Sequence, residues 1–286
     1  MPAHESLHEY YLHQHRNIAN YLELCMIHAE TELVHELRLC MKKLRAFYKL
    51  AEGFSVAEKD ENIQIKKQVN RLFRISGQLR DTQVQIHLLV TLQQQTGTDY
   101  PEFSKWMLKR EKKRIMRFGR KPLQLLLPST ADTTLQETGD WLAVVDDETI
   151  FNGAYSILTG LCIKARKLCS GTMNERDLHR IRTITKQVKY ILNIMHHSYP
   201  DFIFNEVSVN SLREIEASVG QWHDNLVRVE LLEKFMAKSK FADDSLLLKY
   251  QKLLDVCKAE LDIAYTEAYR VVRFELFSEQ QPLKLT

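Results

Sequence analysis

Residues 77–89, GQLRDTQVQIHLL, decide the fold because residues 220–232, GQWHDNLVRVELL, repeat them half a chain later. Six of the thirteen aligned positions are identical, all at an offset of 143 residues in a chain of 286. A second pattern precedes each copy: a His followed by three basic residues, at 35, 38, 42 and 45 and again at 179, 182, 186 and 189. Recurrence at a fixed period indicates an internal repeat, so the sequence predicts two copies of one helical unit.

The composition favours helices throughout. Nine Gly and six Pro are few for this length, and the plentiful Leu, Glu, Lys, Arg and Gln are good helix formers, so we expect an all-α protein. Apolar residues three and four positions apart predict helices near 5–26, 29–52, 59–96, 100–119, 147–170, 174–197, 209–238 and 243–277. The predicted organisation is a first four-helix repeat at 1–121, a linker at 122–146 and a second four-helix repeat at 147–286. Asn174 and either Ser208 or Asn210 are the expected N-caps.

The cellular setting follows from what the sequence lacks. No apolar run approaches the roughly 18 residues that cross a bilayer, and the polar N-terminus lacks the apolar stretch of a signal peptide. We therefore expect a soluble, cytoplasmic protein with no membrane partner. The five cysteines are odd in number and scattered, without a Cys-x-x-Cys pair, which predicts free, buried thiols.

Positive charge is concentrated in the first half. The formal net charge is only +3, but 20 Lys/Arg and 9 Asp/Glu lie between His35 and Lys121, and the rest of the chain is net negative. Such asymmetry points to an anionic, phosphate-rich partner.

The cations form stripes along helix faces. At about 100° per residue, the basic positions of the predicted second helix share an arc of about 80°, opposite an apolar back. These positions are His35, Arg38, Lys42, Arg45 and Lys49, and in the second repeat His179, Arg182, Lys186 and Lys189. A solvated surface is the competing interpretation. The basic stripe, however, occurs in both repeats with the His at the same end, which favours a binding surface. Arg and Lys at helical spacing can meet successive phosphates.

Two further helices of the first repeat carry cationic stripes. Lys67, Arg71 and Arg74 have Asn210, Glu214 and Ala217 as counterparts, so the first repeat holds more of the charge. On the fourth helix, Arg110, Arg114, Arg117 and Lys121 share one face. That face is a candidate wall of a binding groove, with a solvated exterior as the alternative.

The segments ETELVHELRLCMKKLRAFYKL with GQLRDTQVQ, and DLHRIRTITKQVKYIL with VGQWHDNLVRVELL, resemble both halves of the CHAD family, the conserved-histidine α-helical domain. The resemblance covers nearly the whole chain. It implies two four-helix bundles related by a pseudo-twofold axis, with a basic central pore or groove that binds inorganic polyphosphate.

The resemblance also assigns ligand-binding positions. They are His35, Arg38, Lys42, Lys43, Arg45 and Arg80 in the first repeat, and His179, Arg182, Lys186, Lys189 and His223 in the second. The second repeat departs from the family pattern, because His223 replaces the Arg of an Arg-Asp pair and Gln187 stands where a base is usual. We therefore expect weaker polyphosphate contacts in that half. Asp81 and Asp224 are expected to orient basic side chains rather than touch an anion, with a purely structural salt bridge as the alternative.

The sequence predicts a non-enzymatic polyphosphate-binding protein, associated with polyphosphate granules, that uses no metal or cofactor. Neither a Walker-type phosphate loop nor His-Glu-x-x-His occurs. Two alternatives stay open: a nucleic-acid-binding protein that contacts backbone phosphates, and an enzyme acting on condensed phosphates. The stripes hold no aromatic residue for base stacking and no carboxylate cluster for Mg²⁺. The sequence leaves the oligomeric state open.

Overall fold

The computed structural model describes residues 3–54, 60–120 and 142–277. These residues form eight α-helices, one 3₁₀ turn at Glu52–Phe54 and short connections, without a β-strand among them. The helices are α1 Ala3–Ile27, α2 Thr31–Ala51, α3 Asp60–Thr96, α4 Pro101–Arg120, α5 Asp147–Cys169, α6 Glu175–Ser198, α7 Val209–Met236 and α8 Asp244–Phe277. The all-α prediction is confirmed. Most of the predicted linker, from 122 to 141, lies outside the described residues.

Local sequence sets the helix ends. The Asn174 side chain accepts hydrogen bonds from the backbone N–H groups of Arg176 (2.9 Å) and Asp177 (3.2 Å), which caps α6. Ser208 caps α7 by accepting from the Ser211 N–H at 3.0 Å, so Ser208 rather than Asn210 is the N-cap. Gly97 follows α3 with a φ of +63°, a left-handed conformation that ends helices and that glycine adopts without strain.

The described chain divides into two compact units that interleave along the sequence. Unit 1 comprises residues 1–86, 107–160 and 187–204, and unit 2 comprises residues 87–106, 161–186 and 205–286, apart from positions outside the described ranges. Each unit therefore contains segments from both halves of the chain. The division into repeats at 1–121 and 147–286 concerns sequence similarity, and it stays a prediction.

The core of unit 1 joins early and late segments. Tyr11 is fully buried and lies 4.9 Å from the ring of Phe47, where α1 packs on α2. Gly53 and Gly153 bring backbones into close approach, since a Cβ on Gly53 would lie 2.6 Å from the Gly153 carbonyl oxygen. Glycine is required at such a contact because no side chain fits.

The core of unit 2 is built around aromatic residues. Trp222 and Tyr250 are fully buried on α7 and α8, which pack against each other. The Tyr250 hydroxyl accepts from the Phe103 N–H at 3.2 Å and donates to Glu102 at 2.9 Å. All five cysteines are free and buried, as predicted. In the described part of the chain, no helix has the length and apolar character to cross a membrane.

Candidate functional site

Arg38 ties the basic face of α2 to α3 in unit 1. Its Nη1 donates to the Phe73 carbonyl oxygen at 2.7 Å and to Ser76 Oγ at 3.2 Å. Its guanidinium carbon lies 4.2 Å from the centre of the Phe73 ring, and that of Arg45 lies 4.5 Å from the same ring. Phe73 is therefore covered by two guanidinium groups, an arrangement that aromatic faces favour.

Gly77 makes room for the anchored Arg38. A Cβ at position 77 would lie 3.0 Å from Arg38 Nη1, which is tighter than ordinary contact. At the equivalent Gly220 in unit 2, a Cβ would meet no heavy atom within 4 Å. The glycine that opens the repeated segment thus has a packing role in the first copy only.

His35 lies among cations at the start of the α2 stripe. Burial lowers the pKa of His35, and the charges of Arg80 and Lys42 lower it further, while Glu32 and Glu36 oppose them. Arg80 also contacts the Thr31 carbonyl oxygen, 3.4 Å from its Nη1. His35, Lys42 and Arg80 are all half-buried, so this end of the stripe is a partly shielded cationic surface.

The arginines of α4 form a second cationic group in unit 1. Arg114 donates to the side-chain oxygen of Gln78, the second residue of the repeated segment. Burial lowers the pKa of Arg114, as do Arg110 and Arg117, whereas Asp81 raises it. Arginine stays protonated despite such shifts. Three positive charges that repel one another therefore lie together, and the negative charge of Asp81 offsets part of this repulsion. The orienting role of Asp81 stays a prediction.

The remaining first-repeat positions differ in exposure. Lys49 forms a 2.5 Å ion pair with Glu52, which neutralises part of its charge. Lys43 is half-buried, whereas Lys67, Arg71 and Arg74 are exposed on α3. Lys121 lies outside the described residues.

Two histidines meet in unit 2. The His179 ring on α6 lies 5.1 Å from the His223 ring on α7, and 4.8 Å from the ring of the fully buried Trp222. Lys186 lies 3.9 Å from Glu216. Lys189, further along α6, is half-buried in the part of the helix that belongs to unit 1.

The histidine pair has unmet hydrogen-bonding capacity. The pKa of His223 is lowered to about 3, mainly by burial and also by the positive charges of Arg182, His179 and Lys186. Burial and Arg182 also lower the pKa of His179. Within the described structure, the buried atoms His223 Nδ1 and Arg182 Nε have no hydrogen-bond partner. Polar atoms buried in this way normally have a partner, and an anion would supply both the acceptor and the missing negative charge.

Asp224 lies on a different surface, a cleft of about 770 Å³ between α3, α7 and α8. The charged residues lining it are Asp224, Glu260 and Arg228, and Arg228 is paired with Glu260 at 2.8 Å. Two carboxylates and one paired guanidinium do not suit a polyanion. We therefore locate the candidate anion site on the cationic groups rather than in this cleft, and the orienting role of Asp224 stays a prediction.

Three residues that hold the cationic side chains in place were not identified from the sequence. Phe73 lies beneath Arg38 and Arg45, Ser76 accepts from Arg38, and Gln78 accepts from Arg114. Gln78 recurs as Gln221 in the repeated segment, which is a signal for a role. Phe73 and Ser76 belong to no repeated pattern, and their partners are more than 25 residues away in sequence.

The comparisons with known proteins agree with this architecture. The CHAD domain family model matches residues 10–233. The fold is similar to that of PptA from Streptomyces chartreusis, with a TM-score of 0.64, 12% identity and coverage of 95% of this chain and 99% of that chain. It is also similar to the CHAD domain from the plant Ricinus communis, with a TM-score of 0.63, 16% identity and coverage of 94% and 92%. A search of curated proteins finds no significant match.

At these identities the two structural likenesses establish the fold alone, and the pseudo-twofold arrangement stays a prediction. The family match covers most of the chain, from the second turn of α1 to the last turn of α7. The protein therefore belongs to the CHAD domain family.

Proposed function

We propose that this protein binds inorganic polyphosphate, without catalysis, through the cationic groups described in each unit. Polyphosphate carries one phosphate per repeat and no base or sugar, so it is recognised by charge and hydrogen-bond donors alone. Arg, Lys and His in rows supply these donors, and release of the polymer's counterions adds a favourable entropy. Membership of the CHAD family supports this ligand.

The observation that carries the proposal is the cluster around His223. Burial and three basic neighbours, Arg182, His179 and Lys186, lower its pKa, and buried atoms on His223 and Arg182 have no described hydrogen-bond partner. The positive charges of Arg182 and Lys186 beside the neutral ring favour an anion at this position. A phosphate placed there would satisfy the open hydrogen bonds and favour protonation of the histidines.

Nucleic acid remains the alternative ligand. Proteins that bind single strands stack bases on accessible aromatic faces. Beside the cationic groups, Phe73 is overlaid by Arg38 and Arg45, and Trp222 is fully buried. These two rings therefore offer no stacking surface, which favours polyphosphate over RNA or DNA.

An enzyme acting on condensed phosphates is the second alternative. Metal-assisted phosphate chemistry uses clustered carboxylates to hold Mg²⁺. In residues 3–54, 60–120 and 142–277, no group of three or more His, Cys, Asp or Glu side chains is placed to hold a metal. Binding and catalysis are separated by measuring orthophosphate release from polyphosphate with Mg²⁺ present.

The deciding experiment titrates the full chain with long-chain polyphosphate, single-stranded RNA and duplex DNA at matched salt. We expect polyphosphate to bind most tightly, with log affinity falling linearly with log salt concentration. We also expect no orthophosphate release above a protein-free blank.

Each other outcome has a defined meaning. RNA or DNA binding as tight as polyphosphate binding would support the nucleic-acid alternative. Affinity independent of salt would contradict electrostatic capture. Release of orthophosphate that requires the protein, and that is lost when His223 and Arg182 are replaced, would show an enzyme. We further propose that the protein acts in the cytoplasm at polyphosphate granules, which co-localisation of a fluorescent fusion with stained granules would test.

A further inference from the structure

The outer face of α8 carries an apolar stripe that the described residues leave exposed. Its large apolar side chains are Leu248 (51% exposed), Val256 (52%), Ile263 (71%), Phe274 (62%) and Phe277 (36%). Single exposed apolar residues are ordinary, whereas five large ones along the same face of one helix indicate an interaction surface. All five lie in unit 2, and α8 lies beyond the region matched by the family model.

The spacing of the stripe is that of a helix-pairing seam. At about 100° per residue, the five side chains lie within an arc of about 80°. Together with the exposed Lys252, Ala259, Thr266 and Arg270, they recur every three or four residues from 248 to 277. This repeat lets side chains of one helix insert between those of another along a shared seam. Leu253, Cys257 and Ala264 form the opposite, buried face of α8, so the exposed seam is a second apolar face.

The charges beside the seam select an orientation for a partner helix. Asp255 and Asp262 lie on one flank near the middle of α8, and Arg273 lies on the same flank near its end. In a parallel pair this flank would face the other flank of the partner helix, so Asp255 and Arg273 would not meet. An antiparallel copy places Asp255 of each chain opposite Arg273 of the other, with the twofold axis close to Ile263.

We propose that α8 is a self-association surface, on which two copies of this chain pair through antiparallel α8 helices centred near Ile263. The seam supplies the apolar contact, and the two symmetric Asp255–Arg273 pairs fix the direction. A second copy fits this face because the face is self-complementary under a twofold axis. This inference is independent of the ligand that the protein binds.

The first test measures the mass of the full chain in solution by light scattering and sedimentation over a range of concentrations. We expect a concentration-dependent dimer that Ile263→Glu weakens by roughly tenfold or more. Ile203→Glu is the matched control, because Ile203 is equally exposed (72%) but belongs to unit 1 and is not a seam residue. Circular dichroism should confirm that both variants fold, since neither side chain is buried.

The second test uses the absence of accessible native thiols. All five cysteines are buried, so Ile263→Cys introduces one reactive thiol beside the expected twofold axis. Mild oxidation should then give a disulfide-linked dimer, whereas Ile203→Cys should not.

Charge exchange tests the orientation. Asp255→Arg should weaken the dimer, and adding Arg273→Asp should restore it, because the two residues face each other only in the antiparallel pairing. A chain that stays monomeric at high concentration would overturn the proposal and assign the seam to a different protein or to another segment of the same chain. Equal loss of dimer in Ile263→Glu and Ile203→Glu, or no recovery in the exchanged variant, would also overturn it.

Discussion

Arg38 and Arg182 occupy equivalent positions in the repeated sequence but are held differently. Arg38 is fixed by hydrogen bonds to the Phe73 carbonyl and Ser76 and by the Phe73 ring. Arg182 has a buried Nε without a partner in the described structure. One arginine is therefore anchored within its unit, and the other has a buried donor, which we propose binds the ligand.

Replacing each arginine by alanine should separate these roles. Arg38→Ala should lower the free energy of unfolding by about 2 kcal/mol, because it removes hydrogen bonds of a charged donor. Arg182→Ala should change stability little but weaken polyphosphate binding by about 1 kcal/mol. Urea unfolding and ligand titration measure the two effects. Equal stability losses would show that Arg182 is also a structural anchor.

Gly77 and Gly220 form a matched pair for a packing prediction. Alanine normally stabilises a helix interior by about 1 kcal/mol relative to glycine. Gly220→Ala should show that gain because its Cβ meets open space, whereas Gly77→Ala should lose it because the Cβ presses on Arg38. Thermal unfolding compares them, and a full gain at both positions would contradict the packing role of Gly77.

The lowered pKa of His223, about 3 against 6.5 for an unperturbed His, makes both stability and affinity depend on pH. Between these values the unfolded chain binds a proton that the folded chain does not, so stability should fall as pH falls from about 6.5. A bound phosphate favours the protonated ring, so affinity should rise over the same decrease.

The variant His223→Gln should flatten both trends. The control is His28→Gln, since His28 is exposed outside both cationic groups. Stability and affinity are measured across the pH range with and without polyphosphate. Unchanged pH profiles in His223→Gln would assign the effect to other groups.

The residue types of the site were predictable, but their partners were not. A His with basic residues at helical spacing identifies a cationic face from sequence alone, because spacing fixes which side chains share a face. The stacking of Arg38 on Phe73 and the pairing of Lys49 with Glu52 depend on rotamers and on packing. The repeated pattern therefore identified the charged residues of the site. It did not identify most of the residues that hold those side chains in place.

At the scale of one element, α4 separates its two kinds of cation. Arg110 and Arg114 are half-buried and Arg117 lies close enough to lower the pKa of both. Lys109, Lys112 and Lys113 are exposed. One helix thus carries three clustered arginines, and these three exposed lysines match them in formal charge.

The two sets provide a charge-matched comparison. Replacing Arg110, Arg114 and Arg117 by Gln should reduce polyphosphate affinity by about 3 kcal/mol if each provides one charge-assisted hydrogen bond. Replacing the three lysines by Gln should cost much less, although the net charge changes equally. Titration at fixed salt measures both. Equal losses would mean that overall charge, rather than the arginine cluster, controls binding.

Helix positions were predicted closely because their signals are local. The expected helix at 209–238 is observed at Val209–Met236, and that at 174–197 at Glu175–Ser198. Apolar spacing and cap residues act over a few positions, so one sequence contains them. The grouping of helices into units depends on contacts between distant segments, which the spacing does not report.

At the scale of the whole molecule, each unit draws on both halves of the chain. In unit 1, Ser6 donates to Ser198 at 3.3 Å, and Gly53 approaches Gly153. In unit 2, Lys249 donates to the Asp99 carbonyl at 2.6 Å. A cut between the predicted repeats would therefore divide the core of each unit.

Separated halves should accordingly fail to fold alone. Fragments 1–121 and 147–286 should each lack a cooperative thermal transition, because each leaves apolar core residues exposed. Co-expressed, they should purify together and recover a cooperative transition. Circular dichroism and affinity co-purification measure this. A cooperative transition in either fragment alone would show that the sequence repeats are independent folding bodies.

The buried thiols make opening of each unit directly observable. Cys25 and Cys40 lie in unit 1, and Cys162, Cys169 and Cys257 lie in unit 2. Burial raises the pKa of Cys25 and Cys169 to about 12, so both stay protonated and inert towards alkylating reagents while the chain is folded. Modification of these thiols requires local opening. The rate at which each cysteine of the native chain is labelled, followed by mass spectrometry of its peptide, would therefore show which unit unfolds first.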